Sequence, residues 1–238
     1  MILDYSYLNS LAQFGVGGAH PGGLKLTRYI LSKETLDATM SVLDVGCGTG
    51  QTAAYIAKQY QCHVIALDSS EIMLEKAKQR FSSLNIPVEV KQGDAEYLPF
   101  ETSVFDIILC ESVALFTDIP LTISEYKRVL KPNGVLLAIE MVLEKECSEE
   151  KIKPIRQFYG VDRILTESEW YTHFKSVGFS HITTSKYNGL FDGNDLQNAP
   201  DFSLSEHIDD AHVEVLEKHA QLVKAYRDIL GFRIFRCR

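Results

Sequence analysis

Apolar positions along the chain fall into short, β-branched runs separated by amphipathic stretches. Residues 42–45, 63–67 (HVIAL), 88–91, 104–110 (VFDIILC) and 135–141 (VLLAIEM) read as strands. A helical pattern runs from about Gln51 to Tyr60. In the next one Leu74, Ala77 and Phe81 share a face behind a cap at Ser69 or Ser70. A third begins at Asp118 and Pro120, carries the stripe Ile119, Ile123, Tyr126, Leu130, and closes at the turn 131–134 (KPNG). This alternation predicts parallel strands with helices on both faces, a doubly wound α/β fold.

The flanks are less regular. Residues 14–23 (FGVGGAHPGG) predict a mobile loop or hinge, and 24–36 a helix leading to the first strand. Residues 166–176 predict a short helix stopped by Gly178, and 180–187 a strand. Residues 188–201 read as a loop. A long helix follows, from about Ser205 to Leu230, with the stripe Ile208, Val215, Leu222, Tyr226, Ile229. Gly231 ends it, and 231–238 (GFRIFRCR) alternate as a last strand.

The chain has 238 residues, enough for one domain with a sizeable core. A net charge of −8 with no basic tract argues against nucleic-acid binding. The five cysteines (47, 62, 110, 147, 237) form no C-x-x-C pair, so neither a disulfide framework nor a thiolate metal site is expected, and a reducing cytoplasm is the natural setting. The N-terminus shows no secretory leader pattern. The most apolar long stretch, 104–116, holds Asp106 and Glu111 and is too short to span a bilayer.

The candidate chemistry sits at strand ends. Gly46, Gly48 and Gly50 follow the first core strand and precede a helix, where glycines permit a tight turn and close approach to a ligand. Asp68 ends the second strand, where a carboxylate accepts both hydrogen bonds of a ribose diol; it reads equally as a helix cap. Asp94, in GDAEYLPF, follows the third strand, placed to accept from an exocyclic amine or to cap a turn. Glu111 interrupts an apolar strand end, where an acid needs a partner or solvent. It is the candidate catalytic residue: a base, a holder of a substrate cation, or a contact for a cofactor ammonium. His20, in the glycine-rich loop, is first a plain loop histidine, with contact to substrate or closure of the site as the alternative. Tyr5 and Tyr7 fit a lid element or ordinary packing.

Residues 42–50 (VLDVGCGTG) closely resemble motif I of the class I S-adenosylmethionine (SAM)-dependent methyltransferases. ALDSS (66–70), GDAEYLPF and FDIILCES (105–112) resemble their next three motifs, and RVLKPNGVLLAIE (128–140) the segment after them. EWYTHFKSVGFSHI (169–182) is similar to a late element of the small-molecule branch, which includes ubiquinone and menaquinone methyltransferases. The resemblance implies a Rossmann-like, mostly parallel seven-stranded sheet with its last strand antiparallel, an N-terminal lid, and a helical insertion before that strand. It implies one domain: residues 1–40 as lid, 41–143 as SAM-binding core, 144–238 as substrate-side helices and last strands.

The resemblance also implies roles. Asp44 and the backbone at Gly46 and Cys47 would hold the methionine part of SAM, with Gly48 and Gly50 allowing its approach. Asp68 would bind the ribose with Ser69 beside it, Met73 would pack near the adenine or serve the core, and Asp94 with Ala95 would read the adenine edge. Cys110 and Glu111 would line the transfer site. The expected reaction is in-line methyl transfer from SAM to a small-molecule acceptor (a metabolite, a quinone-like compound or an amine), leaving S-adenosylhomocysteine. No metal is expected, and the oligomeric state is open. A non-catalytic SAM-binding scaffold is the alternative, and behind it a nucleic-acid or protein methyltransferase. Nucleic-acid amine methylases carry an N/D-P-P-Y/F run where this chain has Cys110, Glu111 and Ser112, and a dinucleotide enzyme would prefer glycine at Gln51.

Overall fold

The computed structural model describes residues 5–187 and 201–238. In chain order the elements are α1 (Tyr7–Phe14), β1 (Val16–Gly17), α2 (Gly23–Leu31), β2 (Ser41–Val45), α3 (Gln51–Tyr60), β3 (His63–Asp68), α4 (Glu71–Leu84), β4 (Val88–Gln92) and β5 (Phe105–Glu111). A 3-10 turn (Ala114–Phe116) leads to α5 (Ile119–Val129), β6 (Leu130–Leu143), α6 (Glu149–Tyr159), α7 (Glu167–Ser176), β7 (Ile182–Ser185), β8 (Asp201–Phe202), α8 (Asp210–Ala225) and β9 (Leu230–Cys237).

Seven strands form one sheet in the order β4-β3-β2-β5-β6-β9-β7, parallel except for β9, which runs against both neighbours. The central strands are apolar because helices cover both faces. Leu43 and Val45 of β2 face a core shared with Ile123 and Tyr126 of α5 and Trp170 of α7. Val42 faces the opposite core, built from Leu26 of α2, Ile56 of α3 and Phe81 of α4. The chain reverses its winding between β2 and β5, so a crevice opens at their carboxyl ends. Val45 pairs with Leu67 on one side and Cys110 on the other, which brings the ends of β2, β3 and β5 level.

The N-terminal segment lies over that crevice. β1 pairs antiparallel with β8, Val16 opposite Phe202 and Gly17 opposite Asp201. Gly15 allows this: its φ is +59°, and a Cβ there would overlap the Ser203 carbonyl. The expected hinge at 14–23 is therefore a paired strand and a turn. Of the expected loop 188–201, residues 188–200 lie outside the described residues, and Asp201 belongs to β8. The expected helix 205–230 is shorter: Asp209 caps α8 by accepting from Ala211 N–H at 3.2 Å, and the helix ends at Ala225. The expected helix 24–36 ends at Leu31, where the Ser32 hydroxyl bonds back to the Tyr29 carbonyl. α1 is held against the α6 and α8 layer by Tyr7, whose ring lies 4.7 Å from His219 and 5.1 Å from Tyr159.

Two cations on α4 tie this N-terminal segment to the sheet. Lys76 Nζ donates to the carbonyls of Ala12 (2.7 Å) and Gln13 (2.9 Å), the open end of α1, and to Ser205 Oγ (3.1 Å). Arg80 donates to the Thr49 carbonyl at 2.7 Å and pairs with Asp201.

Candidate active site

The turn after β2 has glycine at three positive-φ positions, for different reasons. A Cβ on Gly46 would overlap Val113, and one on Gly50 would overlap Phe81. A Cβ on Gly48 would meet nothing nearer than Met73, at 4.0 Å, so that position opens onto the crevice. The turn is fixed by Cys47 N–H donating to the Leu67 carbonyl at 3.0 Å.

Asp68 closes the turn from β3. Its Oδ2 accepts from Gly48 N–H and its Oδ1 from Ser70 N–H, both at 2.8 Å. Burial raises its pKa, and these N–H groups oppose the rise. Ser70, not Ser69, caps α4, accepting from Met73 N–H at 3.3 Å. Asp44 is almost wholly buried in the wall beside Gly46. Its Oδ2 has no hydrogen-bond partner. Burial first, then the nearby Glu111 charge, push its carboxyl well above the ordinary range. A buried carboxylate oxygen of this kind calls for a cation or donor from the cavity. Asp94 is exposed at the far end, its Oδ1 accepting from Glu96 N–H at 2.9 Å.

Glu111 is not a solvated strand-end acid. Its Oε1 accepts from Thr27 Oγ1 of α2 at 2.7 Å and its Oε2 from Thr52 Oγ1 of α3 at 2.8 Å. His20 Nε2 lies 3.4 Å from Oε2, with both side chains nearly excluded from solvent. The His20 Nδ1 meets the Pro21 carbonyl at 3.2 Å. The lid thus delivers its histidine onto the acid at the end of β5. The next residue, Ser112, has φ +62°, a strained conformation for serine at the chain's exit from the strand.

Cys110 departs from expectation. Side chains alternate along a strand, so Cys110 points away from Glu111 and into the opposite core. Its thiol donates to Glu140 Oε1 (3.2 Å) and accepts from Tyr126 O–H (3.2 Å). It does not line the crevice; only its neighbour does. Glu140, wholly buried on β6, also accepts from Ala114 N–H at 3.0 Å, while its Oε2 has no hydrogen-bond partner. Burial pushes its carboxyl up to about 7. An acid inside the apolar run VLLAIE is the same signal that marks Glu111, and it points to this residue too. Thr27 and Thr52 carried no sequence signal, because hydroxyls on helices are common.

One cavity of about 230 Å³ brings together Asp44, Gly46, Cys47, Gly48, Asp68, Ser69, Met73, Asp94, Ala95 and Glu111. Gly50 sits behind this wall, against Phe81 and Ala77. Leu8, Leu11, Val16 and His20 roof the cavity, and Val113 and Phe116 close its side. A methyltransferase-domain family matches residues 42–134. The uncharacterized methyltransferase YodH of Bacillus subtilis (strain 168) is 38% identical over 229 residues, covering 96% of this chain and 97% of that protein. The chain belongs to the class I SAM-dependent methyltransferases.

Other relatives share less of their length with this methyltransferase. Phosphoethanolamine N-methyltransferase 1 of Zea mays is 33% identical over 172 residues, which cover 71% of this chain and 34% of the maize protein. The structure of Haemonchus contortus phosphoethanolamine N-methyltransferase 2 in complex with SAM matches with a TM-score of 0.77 at 20% identity, over 98% of this chain and 57% of that one. It shows the same fold. The methyltransferase uses SAM. Among the described residues no helix is long and apolar enough to cross a membrane, and no cluster of metal-ligating side chains occurs.

Proposed function

We propose that this methyltransferase methylates a small acceptor held between its lid and the end of β5, with Asp44, Asp68 and Asp94 dividing the cofactor among them. The observation that carries the reading is the Asp44 Oδ2: a buried, unpartnered carboxylate oxygen in the wall beside the glycine turn, as a cationic ligand group requires. Gly48 leaves the backbone bare where the ligand passes. Asp68, fixed by two N–H groups, keeps lone pairs for a ribose diol, with Ser69 beside it. Met73, Asp94 and Ala95 line the end that would take the adenine.

SAM supplies a methyl group already activated on a sulfonium, so the protein's work is alignment and exclusion of water. Glu111 serves that work as an anchor for the roof of the cavity. Its oxygens are engaged by Thr27 and Thr52, and His20 is held on the same carboxylate, so the lid registers against the transfer end. The names of the maize and nematode relatives support a small amine or a similarly compact metabolite as acceptor, although no lysine or arginine among the described residues lines this cavity to match the phosphate of phosphoethanolamine. The free cysteines support a reducing compartment.

Calorimetry tests the assignment. Asp68→Ala is expected to weaken SAM binding by about ten- to a hundred-fold, the loss of one or two hydrogen bonds to a charged acceptor. Wild-type affinity in that variant removes Asp68 from the ribose site.

A further inference from the structure

We propose that the acceptor of this methyltransferase carries no anionic group: it is a neutral or cationic molecule with an apolar body. The inference rests on the reading of the cavity as the site of methyl transfer. Four carboxylates line the cavity (Asp44, Asp68, Asp94 and Glu111), and among the described residues lining it there is no lysine or arginine. Residues 1–4 and 188–200 carry no lysine, arginine or histidine in their sequence, so they bring no basic side chain either.

The groups nearest to serving as anion holders are already engaged. Lys76 is bound to the end of α1 and to Ser205. Arg80 is bound to Thr49 and Asp201. His20 has one ring nitrogen on the Pro21 carbonyl and the other beside Glu111, so any charge it carries is matched. Backbone offers the remaining route, because consecutive N–H groups at a helical turn make a nest for an anion. The turn beside the cavity, at residues 113–115, has that form, but its central N–H, on Ala114, points inward and is taken by the Glu140 carboxylate. A phosphate or carboxylate on the acceptor would lose water under the lid and meet no lysine or arginine among the described residues of the walls, whereas the carboxylate of the cofactor is offset by the cofactor's own ammonium. What the walls do offer an acceptor is apolar surface from Leu8, Leu11, Val16, Val113 and Phe116, with the uncharged polar groups of Gln51, Ser112 and Thr117 among it.

The test uses the full chain loaded with S-adenosylhomocysteine, whose own binding is measured first by calorimetry. Absence of that binding marks failure of the site reading itself, separately from failure of the charge argument. Ligand-observed NMR then compares benzyl alcohol and benzylamine with benzoate and phenyl phosphate. The expected result is binding of the two anions weaker by about ten-fold or more. Anions that bind as tightly as their neutral and cationic counterparts overturn the proposal, and so does failure of benzyl alcohol and benzylamine to bind the loaded protein. Leu8→Arg, at a half-exposed roof position, supplies the missing cation and is expected to narrow the gap to about three-fold or less. An unchanged gap with that variant folded also counts against the charge argument.

Discussion

Replacing Glu140 by glutamine isolates the cost of a buried carboxylate. Glu140 is wholly enclosed, and burial moves its carboxyl from an ordinary 4.5 to about 7, even though Cys110 and three backbone N–H groups favour the charged form. Below pH 4.5 the group is protonated whether the chain is folded or not, and no penalty arises. Between pH 4.5 and about 7 the unfolded chain ionises the group while the folded state keeps it protonated, so stability falls across that window and levels off above it. A tenfold change in a protonation equilibrium is worth about 1.4 kcal/mol, so the full penalty is about 3 kcal/mol. That is a large share of a typical domain stability of about 5–15 kcal/mol. Glutamine keeps an oxygen for Ala114 N–H and carries no charge, but it sets an amide where Oε2 has no partner, at a cost of about 1 kcal/mol. The variant is therefore expected to be slightly less stable than the wild type at pH 5 and about 2 kcal/mol more stable at pH 8. Urea unfolding at a series of pH values measures both curves, and the other titrating groups cancel in their difference. Parallel curves from pH 5 to 8 refute the reasoning.

Four further outcomes follow from the same geometry. Gly50→Ala forces a Cβ into Phe81 at φ +76° and is expected to cost about 2–4 kcal/mol in thermal or urea unfolding. Gly48→Ala meets no such wall, so it is expected to cost only about 1 kcal/mol in stability yet to weaken SAM binding about ten-fold or more by calorimetry. Thr27→Val removes one donor from Glu111, and its expected mark is a fall of about ten-fold in methyl-transfer rate with unfolding shifted by about 1–2 kcal/mol. Lys76→Met leaves the carbonyls of Ala12 and Gln13 to solvent and frees Ser205, and stopped-flow release of S-adenosylhomocysteine is expected to speed up severalfold, by about 1 kcal/mol of lost latch.

The sheet and the glycine turn were legible because their signals are local. Residues 42–50 carry their strand, turn and helix start within a few positions, and helical spacing at Ile123 and Tyr126 reports the face they bury. The roof was not legible. His20 reaches Glu111 only because Val16 pairs with Phe202, a contact between distant parts of the chain that periodicity does not encode. Cys110 was misplaced for a different reason. Motif reading treats adjacent residues as a group, whereas a strand sends Cys110 to Tyr126 and Glu111 to Thr52 on opposite faces. Glu140 shows the reverse error: the periodic rule that marks Glu111 applies to it equally, and its partner is the turn that shapes the cavity wall.

Arg80 holds the glycine turn through the Thr49 carbonyl and the lid through Asp201, from one guanidinium. Through that shared group, SAM binding and the seating of the N-terminal segment are expected to be thermodynamically reciprocal. Whatever free energy that seating adds to SAM binding, bound SAM returns in full to the seating. A solute that pulls Asp201 away from Arg80 must then loosen the cofactor by the same factor as the cofactor resists it. High salt, which screens this half-exposed pair, should therefore weaken the cofactor's hold while leaving the buried Asp44 and Asp68 untouched.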